Sequence, residues 1–143
     1  MQNNLLPCAL FFCALLLTPA CLAQKGPVSM VATAHENGDQ TALRFSGSLS
    51  DEIQLSGKFY LWNRHGSDVP PSGIRIMVTS IQVQLRNGDD LGSAIFVEAT
   101  RPSAKDPGYY KFIAAQSWMI QKNGSVGDIT RAFLADVDRK LNR

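Results

Sequence analysis

The sequence predicts an α+β fold: a single-domain two-layer sandwich, with a mainly antiparallel sheet of 4–5 strands, one helix after the first strand and one C-terminal helix. Three observations carry this reading. The apolar period changes from two to about 3.6 after the first β-prone run. Asn87-Gly88 stands between two β-prone runs, the pairing a tight hairpin requires. Ile129, Phe133, Val137 and Leu141 recur at steps of four near the end of the chain, the stripe of an amphipathic helix.

Residues 28–34 alternate, with Val28, Met30, Ala32 and Ala34 on one face, and read as the first strand. His35 to Asp39 is a turn cluster. Ala42, Phe45, Leu49 and Ile53 then follow at steps of three and four, which predicts a helix over residues 39–55 with Asp39 as N-cap. Gly47 and the neighbouring serines weaken that helix, and the competing reading is two short strands turning at Ser46-Gly47. Residues 58–62 are aromatic and β-prone, and residues 63–73 form a loop rich in Gly, Pro and Ser.

Residues 74–85 form a long strand whose apolar phase slips, from Ile74, Ile76 and Val78 to Ile81, Val83 and Leu85. A slip of that kind predicts a bulge or a strand buried on both faces. The strand returning from the Asn-Gly turn covers residues 92–100, with Ala94 to Val97 apolar on both phases, as in a central strand. Residues 101–108 carry Pro102 and Pro107 and read as a loop. The last strand, 109–121, sets Tyr110, Phe112, Ala114, Trp118 and Ile120 on one face, interrupted by Gln116. In the closing helix, Ser125 and Asp128 have the spacing of a capping box, and Asp136 and Lys140 can pair one turn apart.

The N-terminus reads as an export signal. Residues 5–17 are apolar throughout and no charged side chain occurs before Lys25. A helix of that length spans about 20 Å, short of a hydrocarbon core of about 30 Å but suited to a signal peptide. Cleavage after Ala23, in the small-residue context Cys21-Leu22-Ala23, would free a globular domain of residues 24–143. Cleavage after Ala20 would expose Cys21, the one candidate for lipidation, although Thr18 and Pro19 depart from the usual bacterial pattern before such a cysteine. The first residues carry no Lys or Arg, which is unusual for a signal segment. The expected compartment is the periplasm or extracellular space, with membrane attachment only if Cys21 is lipidated.

Composition narrows the function by exclusion. The 14 Lys and Arg and 12 Asp and Glu give a net charge of +2, and the cations are scattered along the chain rather than clustered. Nucleic acid is therefore not an expected partner. Cys8, Cys13 and Cys21 all lie in or beside the signal segment, so the domain has no disulfide, thiol nucleophile or thiolate metal site.

No reaction-competent constellation is visible either. His35 and His65 are single loop histidines without metal-ligand spacing. Asp89 and Asp90 read as turn residues, because the pattern of a calcium loop is missing. Asp51 and Glu52 point to different sides of a helix. Gly124 and Gly127 precede a helix without the Lys-Ser/Thr ending of a phosphate loop. Asn123-Gly124-Ser125 has the form of a glycosylation sequon, meaningful only in a eukaryotic host. No cofactor and no metal are expected.

The reading these exclusions leave is an exported, non-enzymatic accessory or binding domain with a protein partner in the cell envelope or extracellular space. The loops 63–73 and 101–108, with Trp62, Arg64, His65 and Tyr109, are the expected binding surface. Two other classes compete with it. One is a small secreted hydrolase with Glu98 and Asp51 or Glu52 assembled by folding; the other is a secreted inhibitor or immunity-type protein. The sequence leaves the oligomeric state open.

Overall fold

A computed structural model of the chain describes residues 26–34, 38–62 and 69–143. The expected signal segment, Cys21, His35, Arg64 and His65 lie outside the described residues. The elements run β1 (Gly26–Ala34), α1 (Gln40–Leu55), β2 (Phe59–Leu61), β3 (Ile74–Gln84), β4 (Asp90–Pro102), β5 (Tyr110–Gln121) and α2 (Gly127–Leu141). They build the expected α+β sandwich: one five-stranded sheet in the order β2-β1-β3-β4-β5 with both helices on one face. The sheet is mixed. β1 pairs in parallel with β2 and β3, while β3, β4 and β5 form an antiparallel meander with the longest ladders. The parallel half follows from α1, since a strand–helix–strand unit returns the chain in its original direction.

Local chemistry explains both ends of α1. Asp39 is the N-cap, its carboxylate accepting the N–H of Ala42 at 2.9 Å. Gly57 takes a left-handed φ of +68° just past the last turn, a conformation glycine adopts without strain. The Ser56 hydroxyl accepts the N–H groups of Lys58 and Phe59, which turns the chain into β2. Between these ends Ala42, Phe45, Leu49 and Ile53 are buried, so the 3.6 period, and not the strand pair turning at Gly47, describes this segment.

The core lies between the helices and the sheet. Phe45, Leu49 and Ile53 of α1 and Phe133, Leu134 and Val137 of α2 close over Val28, Ile76, Ile95, Val97 and Ala114. Trp118 packs between the two helices, 5.8 Å from the Phe45 ring and 6.2 Å edge-on from Phe133. Ser48 on α1 and Thr130 on α2 join through their hydroxyls at 2.9 Å. Arg44 reaches the carbonyls of Lys122 and Gly124, tying α1 to the turn before α2.

Three local expectations need correction. The apolar slip along β3 produces no bulge at that point. Ile74, Ile76, Val78 and Ser80 all face the helices, and Ile81 stays on the opposite side, 58% exposed. The irregularity falls later, at Val83/Gln84. In β5, Phe112 does not share a face with Ala114, because the register shifts between Ala99/Thr100 and leaves Ile113 as an extra residue. Ser125 and Asp128 form no capping box: Val126 is the N-cap, and Asp128 pairs with Arg131 at 3.2 Å. The expected pair of Asp136 with Lys140 is present at 3.1 Å.

Candidate functional site

Trp62 and Tyr109, the expected site residues that are described, are not gathered in one place. Trp62 follows the edge strand β2 and Tyr109 precedes the opposite edge strand β5. Four strand spacings separate those edges, about 19 Å. Tyr109 is exposed, whereas Trp62 is half-buried beside Tyr60, with ring centroids 6.4 Å apart. The carboxylates of the hydrolase reading are also kept apart. Glu98 lies in the outer row of β4, opposite Met77 and Ala115, while Asp51 and Glu52 belong to α1 on the other face. Glu52 is held by Arg131 at 3.0 Å.

Asp89 and Asp90 serve the turn between β3 and β4. Asp89 accepts from the side chain of Asn87 at 2.7 Å, and Asp90 accepts the N–H of Gly92 at 2.9 Å. Gly88 supplies the φ of +88° that the hairpin needs. Among the described residues, no group of three or more His, Cys, Asp or Glu could hold a metal ion.

The feature that stands out is the sheet face the helices leave uncovered. Its rows follow from the register. Val31, Met77, Glu98 and Ala115 form one; Thr79, Phe96 and Ser117 the next; Ile81, Ala94 and Met119 a third; Arg75, Thr100 and Phe112 close the other end. Phe96 is 63% exposed, Phe112 60%, Ile81 58% and Met119 54%. Together with Met77, Thr79 and Glu98, most of these side chains line a shallow depression of about 470 Å³. Arg75 stacks over the Tyr110 ring at 5.2 Å, so its charge is partly engaged. Exposed apolar surface of this extent, on one continuous ladder, is the kind that docks another molecule.

Sequence reasoning missed this surface because it placed recognition in the loops. A signal was present: β3 and β4 carry apolar residues on both phases, yet the described residues supply two helices, enough to cover one face.

No family model matches the chain, and no curated protein matches it. Similarity appears in solved structures. The structure of the hypothetical protein CT253 from Chlamydia trachomatis superposes with a TM-score of 0.51 at 12% identity, over 82% of this chain and 96% of that one. Two structures of the PelC dodecamer from Paraburkholderia phytofirmans give TM-scores of 0.46, at 8% and 9% identity. They cover 86% of this chain and 92% and 91% of theirs. The likeness to the CT253 structure is one of fold alone.

Proposed function

We propose that this chain is an exported, non-enzymatic binding domain whose uncovered sheet face docks a protein partner in the cell envelope or extracellular space. The observation that supports it is the outer ladder of β3, β4 and β5, where Ile81, Phe96 and Phe112 stand exposed around one depression and Met119 is exposed on the same face. Large, rigid apolar side chains give contact area at low entropic cost, and a flat ladder presents them at fixed spacing. The placement of Glu98 on the outer face of β4, away from Asp51 and Glu52 on α1, favours this reading over the hydrolase. Export rests on the apolar run of residues 5–17 and the small residues after it.

The test replaces the native chain in its host by a tagged double variant, Ile81→Glu with Phe96→Glu. The protein that co-purifies with the wild type is expected to be lost, with the circular dichroism of the domain unchanged. Retention of the same protein by the double variant would reject this face as the docking surface.

A further inference from the structure

A second concavity lies where the end of α2 meets the last residues of β4 and the first of β5. It has a volume of about 280 Å³ and is lined by Arg101, Lys111, Lys140 and Arg143, with Ile113 and Leu141 among its apolar walls and no acidic side chain. Arg101 and Lys111 are direct partners across the ladder. Like charges in that position repel and destabilise a sheet. Among the described residues, Arg101, Lys111 and Arg143 make no ion pair, and the Nε of Arg101 is buried without a hydrogen-bond partner.

The neighbouring negative charge is already engaged. Asp136 is shared by Lys140 and Arg139, and Asp138 is held by Lys58 at 2.5 Å. The C-terminal end of α2 offers about half an elementary charge, too little to balance the cluster. The β5 bulge creates the juxtaposition: the extra residue Ile113 turns Lys111 to the side opposite Phe112 and into register with Arg101. Bulges commonly re-aim a side chain at a binding site.

We propose that this pocket binds a phosphate group. A phosphate dianion would neutralise Arg101 and Lys111 together, the guanidinium offering its planar fork and the ammonium a mobile point charge. The apolar walls leave room for a phosphate carried on an organic body. The source is either a soluble phosphate compound or the headgroup of a phospholipid, and the two give different results below.

The experiment uses thermal unfolding and calorimetric titration of the secreted domain with inorganic phosphate. It adds flotation with phosphatidylcholine vesicles, with and without phosphatidic acid. Binding is expected to weaken about tenfold in Lys111→Gln and again in Arg101→Gln, the loss of one charge-assisted hydrogen bond each. In phosphate-free buffer, Lys111→Gln should unfold at a higher temperature than wild type because the repulsion is relieved. Added phosphate should then raise the transition of the wild type and not of the variant. Lys122→Gln, a cation outside the pocket, should bind like wild type. Response to inorganic phosphate without vesicle flotation assigns a soluble ligand; flotation only with phosphatidic acid assigns a headgroup. Absence of both responses, or an equal loss in Lys122→Gln, overturns the proposal.

Discussion

The Ser93 hydroxyl donates a 2.6 Å hydrogen bond to Oδ1 of Asp39, and this one contact fastens the first turn of α1 to β4. The same oxygen accepts the N–H of Ala42, so the carboxylate caps the helix and crosses to the sheet at once. Both residues are buried, Asp39 to 2% exposure and Ser93 to 0%. Burial raises the carboxyl pKa, but the Ser93 hydroxyl and the Ala42 N–H, with smaller help from Ser80 and Thr41, outweigh it and hold the group below its ordinary value. Ser80 lies near enough to favour the charge, although neither its hydroxyl nor Oδ2 of Asp39 makes a well-formed hydrogen bond.

Asp39→Ala is therefore expected to cost about 2–3 kcal/mol, combining a lost cap with a buried, unpartnered Ser93 hydroxyl. Asp39→Asn keeps a capping oxygen and should cost less. Urea unfolding at neutral pH measures both.

A pH dependence follows with a definite sign. Asp39 titrates lower in the folded chain than in the unfolded one, so its contribution is complete above the unfolded carboxylate range, about pH 4. It is lost as pH falls through the folded-state value. Asp136 acts in the same direction, held down by Lys140 and then Arg139 against its burial. Stability should fall as pH drops below about 4, and Asp39→Asn should flatten that fall. Thermal unfolding across the range checks it.

Gly92 permits no side chain. Its φ is +131°, and an added Cβ would stand 2.0 Å from the carbonyl oxygen of Ile120 on the neighbouring strand. Backbone on both sides of the clash cannot yield as a side chain would. Gly92→Ala is expected to destabilise by about 3 kcal/mol or more, read as a large drop in midpoint temperature or as loss of soluble protein.

The outer ladder should separate stability from recognition. Phe96→Thr and Met119→Thr remove exposed side chains and keep a β-prone residue, so unfolding should shift by no more than about 0.5 kcal/mol. By contrast, Phe133→Ala, at 0% exposure in the core, should cost about 3–5 kcal/mol. Equal losses on the two faces would mean that the outer face is structural rather than a surface for docking.

How much of this was readable depended on whether the signal was local. The Asp39 cap, the stripe from Ala42 to Ile53, the Asn87-Gly88 turn and the α2 stripe are written within a few residues each, and the fold class follows from them. The parallel pairing of β1 with β3 is set by the path of α1 and β2, which strand patterns do not record. Ser80 continues the inward row of Ile74, Ile76 and Val78 and lies near the carboxylate of Asp39, a neighbour far away in sequence. The basic pocket was hidden for the same reason. Arg101, Lys111, Lys140 and Arg143 are scattered along the chain and meet only through a bulge and the end of a helix.

Export carries its own expectation. Intact mass of the protein isolated from its native host, with any lipid retained, should place the mature N-terminus at Gln24. A mass beginning at a diacylated Cys21 would instead mean a tethered domain, and an unprocessed N-terminus would contradict export.

The most direct test of the docking face is photo-crosslinking in the native host. A benzophenone amino acid would replace Phe96 on the outer ladder or, separately, Gln54 on the exposed side of α1. The account predicts one discrete protein adduct from position 96 and none from position 54. No adduct from position 96, or the same adduct from both, would contradict it.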